Sequence, residues 1–350
     1  MGNSSQSTFH PIVVDWKKVS WVDKMIIWMD RQPIPIWLLY ILITIAAQLL
    51  FNIPFWIDGS VPIWKNVILT SIFFPMVALG LGFYHFLGRT GEKALQEFRP
   101  LLNLNEEEFE RINYSLNYLP SWANWVVLIW GIVGSIPYVF QSSNTFGEII
   151  PKSNLPLITV FIASVISIIP VLGLIIRIIR QVRIVNDLHH KAENINLLHL
   201  FPAHSFAKLT ASTGGGFIIF LSMAILYNPT LITGANMIGT FFGLICAILI
   251  FVIPLISMRD RLEIEKQFQL KKISDLLQMT LDQVNETVGS KKAANISEIR
   301  LRMSALIEER ELVEKISTWP WNTGTIRGFV STLVIPILLW FITNYLGKFL

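Results

Sequence analysis

Of the six histidines, four fall in one polar stretch: His189, His190, His199 and His204, with Asp187 and Glu193 beside them. Imidazoles and carboxylates bind metals, but only when several converge on one point, usually at short defined spacings. Adjacent His189 and His190 diverge by about 100° on a helix. No Cys accompanies the group and no zinc-type spacing occurs. The expectation is therefore no metal site and no cofactor, the four being polar loop residues, some within reach of lipid headgroups. The single cysteine, Cys246, lies in an apolar run, so no intrachain disulfide can form and the thiol reads as a small apolar residue.

Ser212-Thr213-Gly214-Gly215-Gly216 has the look of a phosphate loop, yet it lacks the Lys-Ser/Thr ending and a preceding strand. Within an apolar helix, Gly214, Gly215 and Gly216 read as a site of close helix approach, with a substrate-lining kink as the alternative. Gln48 and Asn52, four apart, share a helix face and are expected to hydrogen-bond across to another helix or to line a polar path. Near the C-terminus, Gly328, Thr332, Leu339, Thr343 and Gly347 fall within an arc of about 100° that bulky Phe329, Trp340 and Phe341 largely avoid. Such a stripe suits a tight helix interface, the preferred reading, or the wall of a narrow pore. Nothing in the apolar segments supplies a catalytic pair, an intramembrane Ser-His arrangement or a His-Glu metal motif. The chain is not expected to be an enzyme.

The elements that must position these residues are membrane helices. Of 350 residues, 53% are hydrophobic and only 15% charged, against about 25% charged in an ordinary soluble domain. Seven stretches are long enough to cross roughly 30 Å of hydrocarbon, which takes about 20 helical residues. They lie near 35–57, 62–86, 120–141, 155–179, 208–228, 232–257 and 325–347. Trp37, Trp56, Trp64, Tyr118, Trp122, Tyr227 and Trp321 mark their ends as interfacial aromatics do. With the N-terminus inside, 25 of the 28 Lys and Arg become cytoplasmic, leaving Lys65, Lys152 and Lys348 outside. Positive charge prefers cytoplasmic loops, so the expected topology is N-in and C-out, in a multi-pass protein of the plasma membrane. Arg177 and Arg180, at the inner end of the fourth span, are expected to snorkel to the interface. The N-terminus has no short apolar core of a signal peptide, and Gln6 stands where a myristoylation motif needs Ser or Thr.

The internal segments read as helical. Residues 1–34 hold an amphipathic helix with Val19, Val22, Ile26 and Met29 on one face, lying under the bilayer. The six spans of 35–257 enclose an internal loop near 87–119, with helices at Glu92–Phe98 and Glu106–Leu119 broken at Pro100, and the histidine loop near 180–207. Asn105 followed by three Glu is a helix start. Residues 258–319 form a helical hairpin, with a break at Gly289–Lys292, that packs on itself or pairs with a second subunit. Residues 320–350 carry the last span.

The stretches LLHLFPAHSFAKLTASTG (197–214) and ISTWPWNTGTIRGFVSTLVIPILLWFITNY (316–345) resemble a group of uncharacterised prokaryotic polytopic membrane proteins, a resemblance that implies no particular activity. The plan of the whole chain is also similar to the insect odorant and gustatory receptors, the seven-helix ligand-gated ion channel superfamily. That resemblance implies a homo-oligomer, a tetramer, whose last helix lines a cation pore. Thr343-Asn344-Tyr345 stands where that group has its Thr-Tyr…Gln-Phe signature, so no residue role transfers. The expected function is an oligomeric channel or ligand-gated receptor-like protein in the lipid bilayer, its ligand unspecified and without nucleic acid. The alternatives are a transporter or permease, and a scaffold or sensory partner acting through its cytoplasmic helices.

Overall fold

The computed structural model describes residues 19–65, 67–140, 152–193, 195–227, 234, 236–289 and 296–345. Among them every regular element is helical, with one isolated antiparallel bridge between Val19 and Pro120. The helices are α1 (Trp21–Asp30), α2 (Ile36–Asp58), α3 (Ile68–Phe98), α4 (Glu106–Asn117), α5 (Trp122–Phe140), α6 (Leu155–His190), α7 (Ser205–Tyr227), α8 (Asn236–Gly289), α9 (Ile296–Lys315) and α10 (Thr323–Tyr345). Among the described residues, α2, α6, α7, α8 and α10 are each long and apolar enough to cross a membrane, and α5 carries a shorter apolar stretch, Trp122–Ile136. Chain composition and these five helices make this an all-helical membrane protein.

Local signals explain the helix ends. Ser20 caps α1 by accepting a hydrogen bond from the Asp23 amide at 3.2 Å. Asn105 and Glu108 form a reciprocal capping box on α4, in which each side chain accepts from the other's amide. Gly59 closes α2 at φ +68, a left-handed conformation that favours glycine. Pro54, Pro75, Pro170, Pro254 and Pro336 sit inside helices, tolerated where neighbouring helices reorganise the backbone bonds.

Two expectations about the elements change. Glu92–Phe98 is no separate helix: it completes α3, because nothing between Phe86 and Arg99 breaks the helix before Pro100 turns the chain into a short 3-10 segment. The α1 face of Val19, Val22, Ile26 and Met29 is buried, as its periodicity requires, but against protein. The backbone just before α1 pairs with the α4–α5 link, Val19 bridging to Pro120 and Ser20 N–H donating to Leu119 O at 3.0 Å. Trp21 N–H also donates to Asn124 Oδ1 at 2.8 Å. Such docking forbids a helix lying free beneath the bilayer.

α7 packs on α3, α8 and α10; α6 packs on α3, α5 and α8; α2 rests on α3 and α6. The largest apolar cluster gathers Tyr84, Leu95, Phe98, Phe206, Met258 and Leu262 at the end of the bundle where α1 and α4 sit. At the opposite end Asp58 accepts from the Lys152 amide at 2.9 Å and from Ser153 Oγ. α8 runs 54 residues, about 80 Å at 1.5 Å per residue, so it extends far past one bilayer. α9 folds back along it, with Leu262, Ile273, Leu306 and Val313 buried between them or at their base, and Lys266 Nζ donating to the carbonyls of Glu314 and Ile316.

Candidate functional site

The three consecutive glycines of α7 point in three directions, as neighbours on a helix must. A Cβ on Gly214 would come within 2.7 Å of Ala247 O and 2.9 Å of the Phe329 ring. On Gly215 it would lie 3.3 Å from Thr332 Oγ1, and on Gly216 only 2.0 Å from the Phe83 ring. Each glycine therefore admits a different neighbour: α8 and α10, α10, and α3. The run makes α7 the hub of the bundle, a close-approach role for all three.

Around that hub α3, α7 and α10 do not close completely. They leave a cleft of about 700 Å³ with Phe83, Phe86, Gly215, Gly216, Gly328 and Thr332 among its walls. Lys208, Asn322 and Thr325 stand at the end where α7 and α10 begin. Lys208 is the one charged side chain in this lining. A cation at the mouth of an otherwise apolar cleft suits a ligand with an anionic head and a hydrocarbon tail.

Of the C-terminal stripe, Gly328 faces the cleft, where a Cβ added to it would meet no atom within 4 Å, while Thr332 packs against Gly215. Thr332 Oγ1 donates to its own helix at Phe329 O, 2.6 Å away. Leu339 is half-buried; the side chain of Thr343 and the whole of Gly347 lie outside the described residues. A second cleft, about 740 Å³, runs between α2 and α3 past Trp37, Tyr40 and Thr44, and shares Phe83 and Phe86 with the first. Those two rings form the partition between the clefts.

The lead-in to α10 is pinned by a ladder of flat groups. Arg259 lies 4.5 Å above Trp319, Trp319 stacks on Trp321 at 4.3 Å, Trp321 on Phe251 at 5.4 Å, and Phe251 meets Phe329 at 4.4 Å. This gives the Trp-Pro-Trp motif its physical role: it ties the start of α10 to α8.

The other polar residues serve the scaffold. Asn52 is fully buried, accepts from the Val67 amide at 2.9 Å and donates to Gln48 O at 2.6 Å, joining α2 to the start of α3. His189 turns inward between Phe98 and Phe206, its Nδ1 2.7 Å from Pro254 O, whereas His190 and His199 are exposed. The expected loop near 180–207 is shorter than read: α6 continues to His190, so His189 and His190 are helical and diverge, and His189 is a core residue, not a polar loop one. Cys246 is half-buried.

A second polar constellation was not legible in the sequence. Asp23, placed by helical periodicity among surface charges, is 3% exposed. Its Oδ1 accepts from Tyr84 Oη at 2.7 Å; its Oδ2 accepts from Ser20 Oγ at 2.7 Å and Leu119 N–H at 2.8 Å. Burial pushes the Asp23 carboxyl above its ordinary value, opposed by the charge of Arg177 and by these hydrogen bonds. Arg177 does not snorkel: it is 4% exposed, its guanidinium 4.2 Å from the Tyr84 ring centre. Arg180 donates to Ser115 O at 2.8 Å. At the other end of α1, Asp30 pairs with His85 Nε2 at 3.2 Å and Arg89 at 2.9 Å. Two acidic residues seven apart on α1 thus fasten it to α3, and only a tertiary partner tells them from solvated charges.

Comparison of the chain with protein-family models, with curated proteins and with solved structures finds no match to any of them.

Proposed function

We propose that this protein is a non-catalytic, seven-span membrane protein of the plasma membrane, N-in and C-out, that binds an amphipathic anion in the cleft between α3, α7 and α10. It acts on that ligand as a receptor or permease. The observation that carries the reading is Lys208, the one charged side chain in a cleft whose other walls are aromatic, aliphatic, glycine and uncharged polar residues. The 25-to-3 division of basic residues supports the orientation. It puts Lys208 at the cytoplasmic headgroup level, where an ammonium meets a phosphate or carboxylate and the tail enters between the helices.

The test is binding of two labelled amphiphiles with the same tail, one anionic and one cationic, to the purified chain. The anionic probe binds more tightly, and Lys208→Glu abolishes that preference while leaving the melting temperature unchanged. Equal binding of both probes by the unaltered protein would falsify the reading.

A second reading, an oligomeric channel with α10 near the axis, is favoured by one observation. Val330, Val334, Leu338, Phe341 and Ile342 are exposed along α10, which rests by its other side on α7 and, through Phe329, on Phe251 of α8. A second copy of the chain could cover that face as readily as lipid.

A further inference from the structure

Behind the Asp23 knot lies a set of polar atoms that the protein leaves unmet. Arg177 and Gln181, one turn apart on α6, are 4% and 3% exposed, and Asn117 at the end of α4 is 8% exposed. Arg177 Nε and Nη2, both carboxamide atoms of Gln181, and Asn117 Oδ1 are buried without a protein partner. Asn117 Nδ2 is already used, donating to Asn113 Oδ1 at 2.7 Å. Asp23 does not serve them: its oxygens accept from Ser20, Tyr84 and Leu119.

The opposing wall is α3, at Gly88 and Gly91. A Cβ on Gly88 would stand 2.8 Å from Arg177 Nη2, and one on Gly91 3.2 Å from Asn117 Oδ1 and 3.4 Å from Gln181 Nε2. Both glycines let the polar atoms approach α3 closely, so a guest that reaches them there is small. The chemistry narrows the guest further. Arg177 and Gln181 Nε2 offer donors; Gln181 Oε1 and Asn117 Oδ1 offer acceptors. An oxyanion would satisfy the donors and confront the acceptors, and a cation would meet the guanidinium. A molecule that both donates and accepts meets all of them.

We propose that Arg177, Gln181, Asn117 and the Gly88–Gly91 face of α3 build a site for ordered water, a hydrated pocket inside the protein on which α1 is docked. Water there accepts from Arg177 and Gln181 Nε2 and donates to Gln181 Oε1 and Asn117 Oδ1, the two to four polar partners a buried water requires. This pocket is independent of the amphiphile cleft.

The experiment is X-ray hydroxyl-radical footprinting of the full-length protein in detergent, read by mass spectrometry. Radicals formed from bound water label the side chains beside it. Tyr84, 1% exposed but against Arg177, is labelled several-fold faster than Phe98 and Phe55, each 0% exposed and remote from the pocket. Gln181→Leu removes both amide atoms, and Gly91→Ala places a methyl against Asn117 and Gln181; each lowers the Tyr84 rate toward that of Phe98. Unchanged slow labelling of Phe98 and Phe55 in the variants reports that they are folded. Tyr84 labelling as slow as Phe98 in the unaltered protein overturns the proposal. So does a saturable rise in melting temperature with nitrate at constant ionic strength that Gln181→Leu abolishes, because the guest is then an oxyanion.

Discussion

Asp23 shows how a single side chain changes meaning between sequence and structure. On a helical wheel it is one of several charges interspersed on α1; in the fold it accepts three hydrogen bonds from three segments of the chain. Asp23→Asn keeps the size but turns one acceptor into a donor facing Ser20 and Leu119. One buried donor orphaned costs about 1–3 kcal/mol, and the variant is expected to melt several degrees lower at neutral pH. The pH dependence has a definite sign. Burial raises the folded carboxyl, with Arg177 from α6 and Tyr84 from α3 facing it, so the folded protein binds this proton at a higher pH than the unfolded chain. Its contribution is complete below the unfolded value and is lost as pH rises through the raised folded value. The stability advantage of the native protein over Asp23→Asn therefore shrinks over the interval that begins at the ordinary carboxylate value and runs upward in pH. Melting curves of both proteins across that interval check it, and a widening gap contradicts the assignment.

At the scale of elements, legibility followed periodicity. The face of α1, the start of α4 at Asn105, the end of α8 at Gly289 and the packing role of Gly214–Gly216 could all be read locally, because each depends on neighbours within a few turns. What escaped were partners 60 or more residues apart in the chain: Asp23 with Tyr84 and Arg177, His189 with Pro254, the aromatic ladder below α10. The glycine hub permits a sharp test. Gly216→Ala drives a methyl into the Phe83 ring, overpacking that typically costs about 1–3 kcal/mol. Phe83→Leu removes the obstruction, so in the double variant Gly216→Ala is nearly neutral. Gly239→Ala, with no atom within 4 Å of the added carbon, is neutral alone or slightly stabilising. Thermal unfolding of the four proteins measures the coupling. If Gly216→Ala and Gly239→Ala behave alike, α7 is not the hub described.

For the molecule as a whole, the decisive matter is what lies against α10. It is among the least buried of the candidate spans, with 11% of its apolar window inside the protein, and it presents two different faces. Gly328 and Thr332 look into the cleft, while Leu338 and Phe341, 54% and 50% exposed, look away. Filling the first face and probing the second separates the two functional readings. Gly328→Trp occupies the cleft and is expected to abolish amphiphile binding with little loss of stability, since no atom lies within 4 Å of a carbon added there. Leu338→Cys, made with Cys246→Ser, reports the other face: if copies of the chain pack there, a short bifunctional thiol reagent links two chains at equal efficiency in dilute detergent micelles and in membranes. If lipid covers it, no covalent dimer forms, and the thiol is instead modified by membrane-soluble maleimide. Amphiphile binding that survives Gly328→Trp, together with efficient linkage through Leu338→Cys, would sink the cleft reading and leave the oligomeric channel in its place. Loss of binding with no linkage assigns the ligand to a single chain, because every wall of the cleft then comes from α3, α7 and α10 of one molecule.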